Sequence, residues 1–351
     1  MSQSMKKSPV PPFEIHPPLL NSANPWAFTL DDLKALYECP FTGAITTRTS
    51  LIDGFSHNSA THQYTFFSPV TGSTGSQVSA EGRGEVIPSE PSSLNTLGYS
   101  PIPLSEYLSW FTGLGDGRSH ISCRTSKPVI VSVTGSAEEI ARCYALMTEA
   151  QARSTDHVSF MMEINLSCPN ILDKPPPAYD GAALAEYLAW VSKARDASAH
   201  DLHVGIKTPP YTYQGQFNTL ISALQESTRL EGACPITFIT ACNTLGSCLV
   251  MKEDDEGACP ALNSASGEGI GGMAGSALHP LALGNVATLR KMLDKCDEES
   301  IRGIAIIGTG GVGDFKGFER MKAVGAAAVG VGTALGREGI EVFGKILENR
   351  T

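Results

Sequence analysis

Apolar residues gather along the chain in short runs, rich in β-branched residues or alanine, set apart by longer segments with a helical period. Runs at 18–21, 43–47, 129–134, 161–166, 203–207, 236–241, 303–307 and 327–331 predict eight buried strands. Between them, stretches such as 136–151, 181–197, 219–229, 280–295 and 315–324 predict amphipathic crossover helices. Strands without polar alternation are buried on both faces, which is the habit of a parallel sheet covered by helices. The pattern therefore predicts an α/β fold, a (β/α)8 barrel, with a doubly wound open sheet as the runner-up. The barrel is preferred because the strand count reaches eight and the unusual residues follow the strands, where barrel loops assemble a site.

Two regions break the alternation. Residues 1–16 are rich in serine and proline and read as a flexible arm, leaving 17–351 as one barrel domain. Residues 50–93 form a long insertion after the second strand, full of Ser, Thr, Gly and Pro, and read as a loop or small hairpin near the barrel mouth. The chain has 26 basic and 36 acidic side chains, a formal net charge of −10, and no basic stripe, which excludes a nucleic-acid partner and disfavours an anionic membrane surface. Nine cysteines without a C-x-x-C pair speak against a zinc site or disulfide framework, so no metal is expected. The uncharged stretch 232–251 contains Pro235 and Asn243, which suits a strand and loop better than a membrane span. The amino terminus shows no secretory pattern, and the whole points to a cytoplasmic protein.

Candidate chemistry sits at the strand ends. Asn165-Leu-Ser-Cys168-Pro-Asn170 follows an apolar run and leads into the proline-rich stretch 173–180. Pro169 ends strand pairing and forces an extended exit, so Cys168 is expected to face a cleft on a movable loop. A lone cysteine is more often a small core residue, but its strand-end position between asparagines favours a functional thiol. The glycine-ended strands Ile306-Ile-Gly-Thr-Gly310-Gly311 and Val329-Gly-Val-Gly332-Thr333 are the seventh and eighth of the series, where barrels commonly cradle a cofactor phosphate. Lys207 ends the run 203–207 before two prolines and suits the stabilisation of an anion. Asn243-Thr244, the glycine loop through Gly272, and Asn95-Thr-Leu97-Gly98-Tyr99 complete the set, each of which alone reads as a turn.

Taken in order, NLSCPN, KPPPAYD, GIKTPPY, CNTLG, GIGG, IIGTGGV and VGTALGREG resemble the dihydroorotate dehydrogenase family, in particular its soluble class 1A. The resemblance implies a flavin mononucleotide (FMN) barrel enzyme of pyrimidine biosynthesis, a homodimer that oxidises dihydroorotate to orotate with fumarate as electron acceptor. It gives Cys168 the role of catalytic base. Arg48, Asn95, Leu97, Gly98, Tyr99, Asn165, Asn170, Asn243 and Thr244 fall at substrate-binding positions. Ala23, Arg48, Thr49, Asn165, Lys207, Cys242, Gly272, Gly310, Gly311, Gly332 and Thr333 fall at cofactor positions. Where the family has Thr-Lys-Ser this chain has Thr47-Arg48-Thr49, and where it has Asn-Ala-Ser-Gly this chain has Asn21-Ser22-Ala23-Asn24.

The expected mechanism places the base on one face of the substrate and the flavin on the other. Cys168 takes the proton from carbon 5 and hydride passes from carbon 6 to flavin N5. A free thiol titrates at about 8.5, so the site must favour thiolate or the rate climbs with pH. Two other readings stay open on sequence. One is a diverged flavin oxidoreductase acting on another dihydropyrimidine, unsaturated ring or enone, suggested by Arg48. The other is a non-catalytic flavin-binding barrel.

Overall fold

The computed structural model describes residues 10, 12–74, 78–79, 90–113, 120–123, 127–154, 158–167, 176–255 and 257–348. Its strands in chain order are β1 (Leu19–Asn21), β2 (Ile45–Thr46), β3 (Gln63–Phe67), β4 (Val78–Ser79), β5 (Ser92–Asn95), β6 (Val129–Val133), β7 (Phe160–Asn165), β8 (His203–Lys207), β9 (Phe238–Ala241), β10 (Leu245–Cys248), β11 (Met251–Asp254), β12 (Gly257–Pro260), β13 (Gly271–Gly275), β14 (Ala305–Thr309) and β15 (Ala328–Val331). The helices are α1 (Leu30–Glu38), α2 (Leu104–Thr112), α3 (Ala137–Arg153), α4 (Gly181–Ala197), α5 (Gln214–Glu231), α6 (His279–Leu293), α7 (Glu299–Arg302), α8 (Phe315–Ala323), α9 (Thr333–Glu338) and α10 (Glu341–Glu348).

Eight strands form one parallel sheet in the order β1-β15-β14-β9-β8-β7-β6-β2, and each coincides with one of the eight apolar runs. Closure into a barrel falls to the short edge between β1 and β2. There Leu20 bridges Ala44, and the Gly43 amide donates to Leu19 O at 2.8 Å. The Asn21 side chain acts as a substitute peptide: Nδ2 donates to Thr46 O at 2.6 Å while Oδ1 accepts from Thr46 N at 2.9 Å. Polar groups carried on a side chain thus satisfy a seam that two short strands leave incomplete.

The barrel interior is layered. Its lower end is an apolar plug of Leu20, Ala44, Ile130, Met161, Phe238, Ile307 and Ala328. Phe13 and Ile15, within the stretch read as an arm, pack against this plug, with the Phe13 ring 4.8 Å from His203 and 5.7 Å from Phe238. Outside the barrel, residues of alternate parity on the strands join the helices in one large core. Helix α3 begins with a capping box, in which Ser136 Oγ accepts from Glu139 N at 3.2 Å and Glu139 Oε2 accepts from Ser136 N at 2.7 Å.

The departure from the expected pattern lies beside the barrel mouth. A second, antiparallel sheet runs β10-β13-β5-β3-β4, and β11 with β12 forms a separate hairpin. The described part of the insertion therefore supplies strands to a five-stranded sheet rather than one local hairpin. Trp26 from the loop after β1 anchors this sheet, stacked 5.4 Å from Phe66 and edge-on to Tyr64 at 5.2 Å. No helix among the described residues is long and apolar enough to cross a membrane.

Candidate active site

A cleft of about 890 Å³ opens at the carboxyl ends of the barrel strands. Ala23 comes from the loop after β1, Arg48 and Thr49 from the end of β2, Asn165 from β7, Lys207 from β8, and Cys242, Asn243 and Thr244 from the turn after β9. Gly310 and Gly311 follow β14, and Gly332 and Thr333 follow β15. The antiparallel sheet supplies the opposing wall with Asn95, and the loop after it adds Leu97, Gly98 and Tyr99. Residues scattered over three hundred positions converge because parallel strands all deliver their carboxyl ends to one rim.

Of the cofactor positions named from sequence, Gly272 is the one set apart. It sits in β13 beside the cleft, where its carbonyl accepts from Asn95 Nδ2 at 3.2 Å, while Ala274 and Gly275 of the same strand line the wall. Ser22, Asn24, Trp26, Ser93, Leu278 and Thr309 also line it and were not picked out from sequence. Ser22 and Asn24 flank the Ala23 position, so proximity along the first loop was an available signal. Cys168 and Asn170 lie outside the described residues.

Cations are deeply placed. Lys207 is 3% exposed, and its Nζ donates to Ala23 O at 3.4 Å. Arg48 is 4% exposed, donates from Nη2 to Gly98 O at 3.1 Å, and has its guanidinium carbon 5.3 Å from the centre of the Phe28 ring. Taking a cation out of water is costly unless polar or anionic groups surround it. Two such residues on one cleft favour anionic or electron-rich groups as its occupants. Burial pushes the Cys242 thiol up to about 12, with Lys207 acting in the opposite direction, so Cys242 stays protonated and packs as a small neutral group.

The carboxamides form one connected set. Asn165 Oδ1 accepts from Ser167 N at 3.2 Å, Ser167 Oγ at 2.9 Å and Asn243 Nδ2 at 3.3 Å. Asn243 Nδ2 also donates to Ser167 Oγ at 2.9 Å, and its Oδ1 accepts from Thr244 N at 2.8 Å. Ser167, the neighbour of Cys168 in the chain, is thereby tied into the cleft floor.

At the glycine-lined end the backbone adopts conformations that side chains disfavour, with φ of +137° at Gly310 and +71° at Gly311. A Cβ on Gly311 would stand 2.6 Å from Gly275 O and 2.7 Å from His279 Cβ. His279 supports the loop from behind, its Nδ1 2.7 Å from Gly310 O, while Arg320 Nε donates to His279 Nε2 at 3.1 Å. That donation leaves the imidazole proton on Nδ1, where it meets the Gly310 carbonyl. Thr309 Oγ1 is buried and has no hydrogen-bond partner among the described residues. Among the described residues no group of His, Cys, Asp and Glu is arranged to hold a metal.

The chain resembles known proteins in sequence and in fold. The family model described as dihydroorotate dehydrogenase matches residues 70–350. Over 259 residues the chain is 31% identical to dihydroorotate dehydrogenase (fumarate) of Trypanosoma cruzi, covering 72% of this chain and 70% of that protein. It is 26% identical over 345 residues to a probable dihydroorotate dehydrogenase A (fumarate) of Streptococcus pneumoniae, covering 97% of this chain and 90% of the relative. A crystal structure of ligand-free DHODH from Eimeria tenella superposes with a TM-score of 0.60 at 14% identity, covering 95% of this chain and 82% of the other, which supports the barrel fold.

Proposed function

The chain belongs to the dihydroorotate dehydrogenase family, and on that premise we propose that it oxidises (S)-dihydroorotate to orotate, with FMN as cofactor and fumarate as the acceptor that returns the enzyme to its oxidised form. The observation that carries this reading is the convergence of Arg48, Asn95, Asn165, Lys207 and Asn243 with the Gly310–Gly311 turn on one cleft. The residues fit FMN. The Cβ directions of Gly310 and Gly311 are taken up by Ala282, Gly275 and His279, so only glycine lets this turn bring its bare backbone to the cleft. Thr309 Oγ1 is a buried atom without a hydrogen-bond partner among the described residues, and Lys207 lies buried at the rim. Gly310, Gly311, Gly332 and Thr333 would hold the phosphate through backbone and hydroxyl groups, with Ala23, Thr49, Asn165, Lys207 and Cys242 along the ring. FMN, when bound, would supply the two-electron oxidation chemistry.

The remaining work belongs to the chain. Arg48 pairs with the substrate carboxylate, aided by the backbone of Leu97, Gly98 and Tyr99. Asn95, Asn165, Asn170 and Asn243 with Thr244 orient the ring without adding net charge, and Lys207 stabilises negative charge that develops beside them. Cys168, next after the tethered Ser167, removes the proton from carbon 5. The same reading makes the protein a cytoplasmic homodimer of one barrel domain per chain, preceded by a short arm, with no nucleic-acid partner. The acidic excess supports the last point, and sedimentation at twice 37.1 kDa checks the dimer.

Anaerobic titration of the yellow protein tests the activity. Dihydroorotate should bleach the flavin band and fumarate should restore it, while Cys168→Ala should retain flavin and lose bleaching. Bleaching by another dihydropyrimidine in preference to dihydroorotate would replace the substrate named here.

A further inference from the structure

One layer below the cleft the barrel holds a carboxylate that the proposed chemistry does not use. Glu163 is 2% exposed and stands two residues before Asn165 on β7, so both side chains point into the barrel. Its Oε1 accepts from Ser132 Oγ at 2.9 Å and its Oε2 from Thr240 Oγ1 at 2.6 Å. Ser132 Oγ lies 2.9 Å from Thr49 Oγ1, and Asn165 Nδ2 donates to Thr49 Oγ1 at 3.0 Å.

The direction of this chain follows from its last member. A carboxylate accepts only, and a hydroxyl has one hydrogen to donate. Ser132 therefore commits its hydrogen to Glu163 and accepts from Thr49. Thr49, its hydrogen committed in turn, accepts from Asn165. The amino side of the Asn165 carboxamide is thus turned to Thr49 and its oxygen to Ser167 and Asn243. That oxygen engages Asn243 Nδ2, which leaves the Asn243 oxygen for the Thr244 amide. Each amide could be inverted locally, but not without breaking a bond elsewhere in the set.

We propose that Glu163 is a positioning residue that, through Ser132 and Thr49, sets which atoms of Asn165 and Asn243 face the cleft. Both Asn243 amide hydrogens are engaged by Asn165 Oδ1 and Ser167 Oγ, so the second amide hydrogen of Asn165 is the one left to meet a carbonyl or carboxylate of an orotate-like ligand. The ligand named here rests on the function proposed above; the polarity of the chain does not.

Ser132 is the point at which to cut. Ser132→Ala severs the chain while Glu163 keeps its bond to Thr240; Ser132→Thr keeps the hydroxyl. Thr240→Val removes a hydroxyl from Glu163 without touching the path to Asn165. In the flavin-loaded protein, orotate affinity is read from perturbation of the flavin band. Ser132→Ala should weaken it about tenfold, the worth of one hydrogen bond, with flavin content unchanged. Ser132→Thr should restore it, and Thr240→Val should hold it near the parent value while lowering stability. Equal loss in Ser132→Ala and Thr240→Val would reduce Glu163 to a structural role and overturn the proposal. If the parent protein binds no orotate, the functional reading fails, and the Asn165 Nδ2 resonances of a ¹⁵N-labelled sample, assigned by their loss in Asn165→Asp, decide the polarity on their own. They should move in Ser132→Ala and hold in Thr240→Val; resonances that hold in both overturn the inference.

Discussion

At the scale of single residues, the turn after β14 shows how a backbone conformation becomes a binding element. Gly311 combines a left-handed φ of +71° with two neighbours inside the space a Cβ would need, whereas Gly72 has a similar φ of +73° and open surroundings. The comparison separates two costs. Gly72→Ala should lose only the left-handed penalty, about 1–2 kcal/mol. Gly311→Ala adds displacement of Gly275 and His279, and ~2–4 kcal/mol in all is expected. Because the second change also moves the amides that would meet a phosphate, Gly311→Ala should weaken FMN more than riboflavin. Urea midpoints and fluorescence titration of the apoprotein with each flavin check both halves, and equal weakening of the two flavins would remove the turn from phosphate binding.

At the scale of elements, long-range polar ties do what short elements cannot. At the end of the first helix the Cys39 amide donates to Ala35 O and Thr42 Oγ1 to Leu36 O, and Lys127, just before β6, reaches across to donate to carbonyls these leave over. Its Nζ donates to Tyr37 O at 2.7 Å, Cys39 O at 2.8 Å and Thr42 Oγ1 at 2.9 Å. Lys127→Met keeps the stem and removes the donors. A loss of ~1–3 kcal/mol is expected, with hydrogen-exchange protection falling first at Leu33 and Leu36; protection lost evenly through the barrel would show that the tie is not local. The barrel strands were legible in the sequence because burial on both faces leaves continuous apolar runs such as Val129–Val133. Helix α5 begins earlier than its apolar period because Gln214, Gly215 and Gln216 carry none. The antiparallel sheet was not legible for a physical reason. Strand β5 pairs with β3 before it and with β13, which starts at Gly271, and β13 is so rich in glycine that it reads as a loop. That pairing is what sets Ala274 and Gly275 of β13 against the cleft, with Gly272 earlier in the same strand beside it.

At the scale of the whole molecule, titration of buried groups sets how stability depends on pH. Burial pushes the thiols of Cys143, Cys234 and Cys242 up to about 12, 11 and 12 from an ordinary 9.0. The folded state therefore keeps these protons to higher pH than the unfolded state does. Their contribution is present in full below about 9 and is lost as pH rises through the folded values, at up to about 1.4 kcal/mol per pH unit for each group. Lys127 works in the other sense: burial pushes its ammonium down to about 8 from 10.5, so the folded state gains on the unfolded one as pH rises between those values. Burial also pushes Lys322 down, and it pushes up the thiols of Cys248 and Cys296 and the hydroxyls of Tyr107, Tyr144, Tyr179, Tyr187 and Tyr211. Losses outnumber gains, so stability falls from pH 9 to 11, and the growing negative charge of an already acidic chain adds to the fall. The two contributions separate experimentally. Cys143, on α3 and away from the cleft, can be replaced by alanine; the parent's slope of unfolding free energy against pH above 9 should then flatten by about one proton's worth, at low and high salt alike. Self-repulsion would instead be screened by salt and indifferent to this substitution. An unchanged slope in Cys143→Ala would assign the alkaline limit of the fold to net charge and not to its buried thiols.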